Sequence, residues 1–162
     1  MDRTEGKTRI AVLVSGRGTN LEAILQACQT GVIDGTVAAV LSNRPGCAAL
    51  EVGRQWAVPL VRAFPGRILN VHPSLLPAFA GTMQAVRDAL LAGVTETGVT
   101  VHFIEPDTVD AGTVAAQEKV PVLPGDTLET LEARIHETEH RLLPRVIQEW
   151  IEGRVRSPAA TA

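Results

Sequence analysis

The chain has 162 residues, a net charge of −3, three Phe, two Trp and no Tyr, which argues against a broad nucleic-acid footprint or an anionic membrane as its main partner. An apolar share of 45% with 14 Gly and 10 Pro fits one globular α/β domain and not a disordered chain. Two cysteines, Cys28 and Cys47, form no disulfide framework, the polar Met1–Thr8 start is no signal peptide, and no apolar run approaches membrane-spanning length, so the cytoplasm is the expected compartment.

In chain order, Ile10–Val14 is a continuous aliphatic run, as in a strand buried on both faces. The turn Ser15-Gly16-Arg17-Gly18-Thr19-Asn20 leads into a helix with Leu21, Ile24, Leu25 and Cys28 on one face, ending near Gly31. Thr19 and Glu22 have capping-box spacing. Thr36–Leu41 reads as a strand, Ala48–Trp56 as a helix and Val58-Pro59-Leu60 as a short strand. Then come the strand Ile68–His72, the helix Ala85–Ala92, strands Val99–Ile104 and Gln117–Val122, and a helix from about Leu128 to Ile151 interrupted or kinked near Pro144. This alternation predicts an α/β fold with a doubly wound, mainly parallel sheet, a single domain over residues 1–155 and a disordered tail over 156–162. One connection breaks the pattern. Between Leu60 and Ile68 there is too little chain for a parallel crossover, which takes a dozen residues or more.

Two stretches carry chemistry. A glycine-rich turn from a first strand into a helix N-terminus offers backbone N–H groups and the positive dipole end to an anion. In Ser15–Asn20, Thr19 and Asn20 add side-chain donors to a phosphate; the bland alternative is a tight turn with a good cap. In Asn70-Val71-His72-Pro73-Ser74-Leu75-Leu76-Pro77, Asn70 and His72 fall on one side of a strand that prolines then stop. An amide aimed at an oxyanion beside an imidazole able to move a proton suits acyl chemistry, although a plain strand end would look the same. Asp110 in Val109-Asp110-Ala111-Gly112 is by itself turn chemistry. His136-Glu137-Thr138-Glu139-His140 satisfies the H-E-x-x-H zinc pattern, but no third ligand stands out, and a solvated helix face is the preferred reading. His102, inside Val-His-Phe, reads as a hydrogen-bonded core histidine.

Taken together, Ser15–Leu21, Ser42-Asn43, Asn70–Pro77, Val109–Gly112, Val120-Pro121-Val122 and Gly125-Asp126 resemble the phosphoribosylglycinamide formyltransferases of purine synthesis, from about Ile10 to Val155. The resemblance implies a formyltransferase-like Rossmann variant that moves a formyl group from 10-formyltetrahydrofolate, a cosubstrate, to the amine of glycinamide ribonucleotide, with no metal. By it, Asn70, His72 and Asp110 match the catalytic trio. Gly18, Thr19 and Asn20 match the residues that hold the substrate phosphate, and Glu139 matches the one that contacts the ribose. The partners implied are small molecules, with neither nucleic acid nor membrane, and the protein is a monomer or homodimer. The family pattern also has a strand–helix segment near Leu60-Val61 that this chain lacks, along with the loop that helps build the folate pocket. Two alternatives follow: a formyltetrahydrofolate hydrolase, or a phosphate-ligand-binding remnant with an incomplete folate pocket.

Overall fold

The structure, a computed structural model, describes residues 6–14, 18–42, 64, 66–105 and 110–157. The aliphatic run forms β1 (Thr8–Val14), which pairs in parallel with β2 (Gly35–Ser42), Thr8 opposite Gly35 and Val14 opposite Ser42. Gly35 lets the strands approach, since a Cβ there would sit 2.9 Å from Ile10 Cδ1. Helix α1 (Thr19–Thr30) connects them and turns Ile24 and Ala27 inward. Its N-cap is Gly18 at φ 80°, so Thr19 is already the first helical residue and the expected capping box does not form.

The second half builds an antiparallel sheet in the order β3 (Leu69–His72), β4 (Glu96–Phe103), β5 (Val114–Pro121), with α2 (Ala85–Leu91) between β3 and β4. The α/β class and the parallel strand–helix–strand start are as the sequence predicts; the pairing direction from β3 onward is not. β4 returns antiparallel to β3, Leu69 opposite Phe103 and His72 opposite Thr100, a direction that strand–helix alternation does not decide. Strand β5 also begins three residues before the predicted Gln117, at Val114. Among the described residues the two sheets share no ladder hydrogen bond, and the break falls where the sequence runs short of chain. The predicted helix Ala48–Trp56 and strand Val58–Leu60 lie outside the described residues.

The antiparallel sheet rests on α3 (Leu128–Ile151), which also packs against α1 and continues through Pro144. Its start is fixed by a capping box that the sequence reading did not single out: Thr130 N–H donates to Thr127 Oγ1 at 3.2 Å, and Thr127 N–H to Thr130 Oγ1 at 3.0 Å. Val99 and Val101 of β4 and Val120 of β5 join Leu131, Ile135, Leu142 and Val146 of α3 in one buried cluster that also takes in Ile24, Ala27 and Ile33. Each such side chain contributes about 1.5–3 kcal/mol by leaving water. Phe103 meets Trp150 edge to face at 5.4 Å. Ser157, assigned by sequence to the tail, is buried.

Candidate active site

Strand alternation decides which side chains meet. In β4, Val99, Val101 and Phe103 belong to the core, so Gly98, Thr100 and His102 face the other way. The antiparallel register sets Asn70 opposite His102 and His72 opposite Thr100. Four polar side chains therefore share one face of the sheet, and the loop after β3 folds over them. Gly98 permits that cover: a Cβ there would fall 2.5 Å from Leu75 Cδ2.

Asp110 reaches the same place from beyond β4. Phe103 N–H donates to Thr113 O at 2.9 Å, and Thr113 donates through its backbone and hydroxyl to the Glu105 carboxylate at 3.1 and 2.8 Å. Gly112 must be glycine, since a Cβ would lie 1.9 Å from Phe103 O. Asp110 itself adopts φ 50°, the left-handed region where Asp and Asn are the favoured non-glycine residues. Its Oδ2 lies 3.4 Å from His72 Nδ1 and accepts from Gly81 N–H at 2.9 Å, while Oδ1 lies 3.7 Å from His102 Nε2.

The hydrogen bonds assign the ring protons. His102 donates from Nδ1 to the Phe103 carbonyl at 3.1 Å, which leaves Nε2 to accept from Asn70 Nδ2 at 3.2 Å. His72 is bracketed by oxygens, Phe79 O at 3.0 Å from Nε2 and Asp110 Oδ2 on the Nδ1 side, so its imidazolium form can donate to both. Both histidines are buried. Asn70 keeps its second amide hydrogen for another acceptor. The structure thus brings Asn70, His72 and Asp110 together as the sequence predicts, and adds His102 between Asn70 and Asp110. The sequence did hold a signal for His102: Thr100 and His102 alternate along β4 as Asn70 and His72 do along β3, and antiparallel pairing stacks the two sets.

A second group lies at the start of α1. Gly18, Thr19 and Asn20 form the helix entrance, while Ser15, Gly16 and Arg17 fall outside the described residues. Asn20 Nδ2 donates to Glu139 Oε2 at 3.2 Å, and Asn20 Oδ1 is buried without a hydrogen-bond partner. Burial pushes the Glu139 carboxyl above the usual carboxylate range; the Asn20 N–H and then the His136, His140 and His72 imidazoles pull it part of the way back. A groove of about 440 Å³ runs from Pro73 past Gln84 and Arg87 to Glu132, His136 and Glu139. The His136 and His140 rings lie parallel with centroids 6.3 Å apart. Among the described residues no three His, Cys, Asp or Glu side chains converge as a metal site, and Glu139 turns to Asn20.

A half-buried amide, two buried imidazoles and a carboxylate on an α/β frame are the groups that proton-coupled group transfer with a stabilised oxyanion requires. The chain belongs to the formyl transferase family, whose pattern matches residues 8–60 and 54–147. It is 35% identical over 191 aligned positions to the phosphoribosylglycinamide formyltransferase of Haemophilus influenzae, covering 91% of this chain and 89% of that protein. It superposes on the crystal structure of glycinamide ribonucleotide transformylase 1 from Symbiobacterium toebii with a TM-score of 0.81 and 39% identity, covering 95% of each chain. A formyltetrahydrofolate deformylase from Pseudomonas syringae shares the fold, with a TM-score of 0.79 at 22% identity over 93% of this chain and 63% of that one. The 191 aligned positions exceed the whole 162-residue chain, so the H. influenzae protein carries a stretch with no counterpart here. The family match divides at residues 54–60, beside the break between the two sheets.

Proposed function

We propose that this protein transfers a formyl group from 10-formyltetrahydrofolate to the amine of glycinamide ribonucleotide, in the cytoplasm, with Asn70, His72 and Asp110 carrying the reaction. The observation behind this reading is the convergence of Asn70, His72, His102 and Asp110 at 3.2–3.7 Å in a chain of the formyl transferase family. Attack of the amine on the formyl carbon makes a tetrahedral oxyanion and an ammonium that must lose a proton. The free Asn70 N–H donates to the oxyanion, a donor of this kind being worth about 2.7–4 kcal/mol, and the His72 imidazolium, its two N–H groups turned to Phe79 O and Asp110 Oδ2, stabilises it through its charge. Asp110, 3.4 Å from His72, holds the imidazolium and takes the amine's proton directly or through one water; as the intermediate collapses, the bond between the formyl carbon and the folate nitrogen breaks and that nitrogen leaves with the proton. Gly18, Thr19 and Asn20 hold the substrate phosphate at the α1 N-terminus, and Glu139 accepts from a ribose hydroxyl.

The stretch missing relative to the H. influenzae protein lies on the donor side, so folate binding is weak while ribonucleotide binding is kept. The test is formylation of glycinamide ribonucleotide by the purified protein, followed by product mass and by tetrahydrofolate release, with His72→Ala as control. Formate release without the ribonucleotide would mean a hydrolase instead. Ribonucleotide binding by calorimetry with no turnover would mean a binding remnant.

A further inference from the structure

The loop between β3 and α2 does two jobs for the site. Its Phe79 carbonyl accepts from His72 Nε2 at 3.0 Å, and its Gly81 N–H donates to Asp110 Oδ2 at 2.9 Å. Phe79 sits at φ 57°, an uncommon conformation for a bulky residue, and something must hold it there. The hold comes from the sheet. The Thr100 hydroxyl, fully buried, donates to Ser74 O at 2.7 Å and accepts from Leu76 N–H at 3.1 Å and from Gln117 Nε2 at 2.9 Å. The second Gln117 hydrogen goes to Leu76 O at 2.9 Å. Inside the loop, Ser74 Oγ donates to Ala78 O, next to Phe79. His72, Thr100 and Gln117 lie in one row across β3, β4 and β5.

Resting on the reading of His72 and Asp110 given above, we propose that Thr100 and Gln117 are positioning residues for formyl transfer: as a clamp from β4 and β5 they fix the 73–81 loop, and through Phe79 O and Gly81 N–H the loop sets the alignment of His72 with Asp110. Gln117 is solvent-exposed, so its amide is not needed to fill the core. One of its donors goes to the loop at Leu76 O and the other to Thr100 Oγ1, the hydroxyl that holds Ser74 and Leu76 of the same loop, so its role is to locate that loop. Displacements of about 1 Å in such a constellation cost on the order of a hundredfold in rate.

The experiment compares the parent with Gln117→Met, Thr100→Ser and Thr100→Val. Gln117→Met lowers kcat on the order of tenfold or more, leaves KM for glycinamide ribonucleotide within about twofold, and keeps the melting temperature. Thr100→Ser retains the hydroxyl and stays near the parent rate, whereas Thr100→Val does not. An activity-independent readout is amide hydrogen exchange at Gly81, which speeds up in Gln117→Met. Parent-like kcat and Gly81 exchange in a folded Gln117→Met protein would overturn the clamp. If the parent transfers no formyl group but Gly81 exchange still rises in Gln117→Met, the clamp stands and the functional reading is what fails. Equal rate losses in Thr100→Ser and Thr100→Val, or a loss in Gln117→Met that appears only in KM, would also overturn it.

Discussion

Replacing Asp110 with Asn tests the charge at the centre of the site with the least disturbance of shape. Asn tolerates the φ of 50° at this position, and its Oδ1 can still accept from Gly81 N–H, so the loop contact survives. What disappears is the negative charge 3.4 Å from His72 Nδ1. At that distance the attraction to an imidazolium is about 5 kcal/mol for an effective dielectric of 20, before the carboxylate's own desolvation is charged against it. The side chains are only 6% and 14% exposed, so water screens the pair weakly. The net worth of a hydrogen bond to a charged partner, about 1.5–3 kcal/mol, is the safer measure. It corresponds to a kcat loss of roughly 10- to 150-fold. KM for the ribonucleotide should hold, because the phosphate and ribose contacts proposed above lie on α1 and α3. The assay is initial-rate formylation at saturating ribonucleotide, with circular dichroism to confirm folding. An Asp110→Asn protein that keeps more than half the parent kcat would refute the role assigned to the carboxylate.

Glu139→Gln should raise KM for the ribonucleotide several-fold with little change in kcat. Because burial raises the Glu139 carboxyl, the parent KM should climb as pH falls through that raised value; an equal climb in the Gln variant would show that Glu139 is not the titrating acceptor. Gly112→Ala should cost at least 2–3 kcal/mol of stability, since its Cβ would overlap Phe103 O at 1.9 Å, and a parent-like denaturant midpoint would contradict that contact. The Asp126 carboxyl is held well below its usual range, first by Arg134 and then by the Leu123 N–H. With the folded value depressed, its contribution is fully present above the unfolded value and is lost as pH falls through the folded one. Asp126→Asn should therefore lower the melting temperature at pH 7 and converge with the parent in strong acid, where a persisting gap would assign the loss to shape instead of charge.

How much was legible in advance follows from the range of the signals. Asn70 and His72 sit two residues apart on one strand, so their common side is a local property. Helical spacing finds Ile24 on α1 but also sets Leu25 on that face, where the structure leaves Leu25 exposed and turns Ala27 inward instead. His102 was seen but given a core role, since its place beside Asn70 depends on the antiparallel register of β3 and β4. The alternation of strands and helices leaves that direction open. The Thr19 capping box failed for a related reason: Gly18 had already taken the cap with a left-handed backbone, which spacing alone does not reveal. Asp110 carried only turn chemistry until the ordered set of motifs gave it a role, and what delivers it is Gly112 pressed against Phe103, a contact between β4 and the chain beyond it.

Among the described residues β1–β2 and β3–β4–β5 form two separate sheets, and the proposed site divides between them. Asn70, His72, His102 and Asp110 belong to β3, β4 and the chain beyond β4. The proposed phosphate entrance lies at the start of α1. One helix joins them: α3 places Glu139 against Asn20 at 3.2 Å, receives Asp34 N–H on Gln148 Oε1 at 2.7 Å, and shares its apolar face with Ile24 and Ile33 on one side and Val99 and Val101 on the other. Among the described residues it is this helix that links the two halves. Loosening α3 should therefore separate acceptor binding from transfer, more than it weakens either half. Leu142→Ala, which opens a cavity in that shared face at about 2–5 kcal/mol, is expected to raise KM for the ribonucleotide while Gly81 amide protection in the β3–α2 loop stays close to the parent's. Loss of that protection in step with KM would mean that the two halves unfold as one unit.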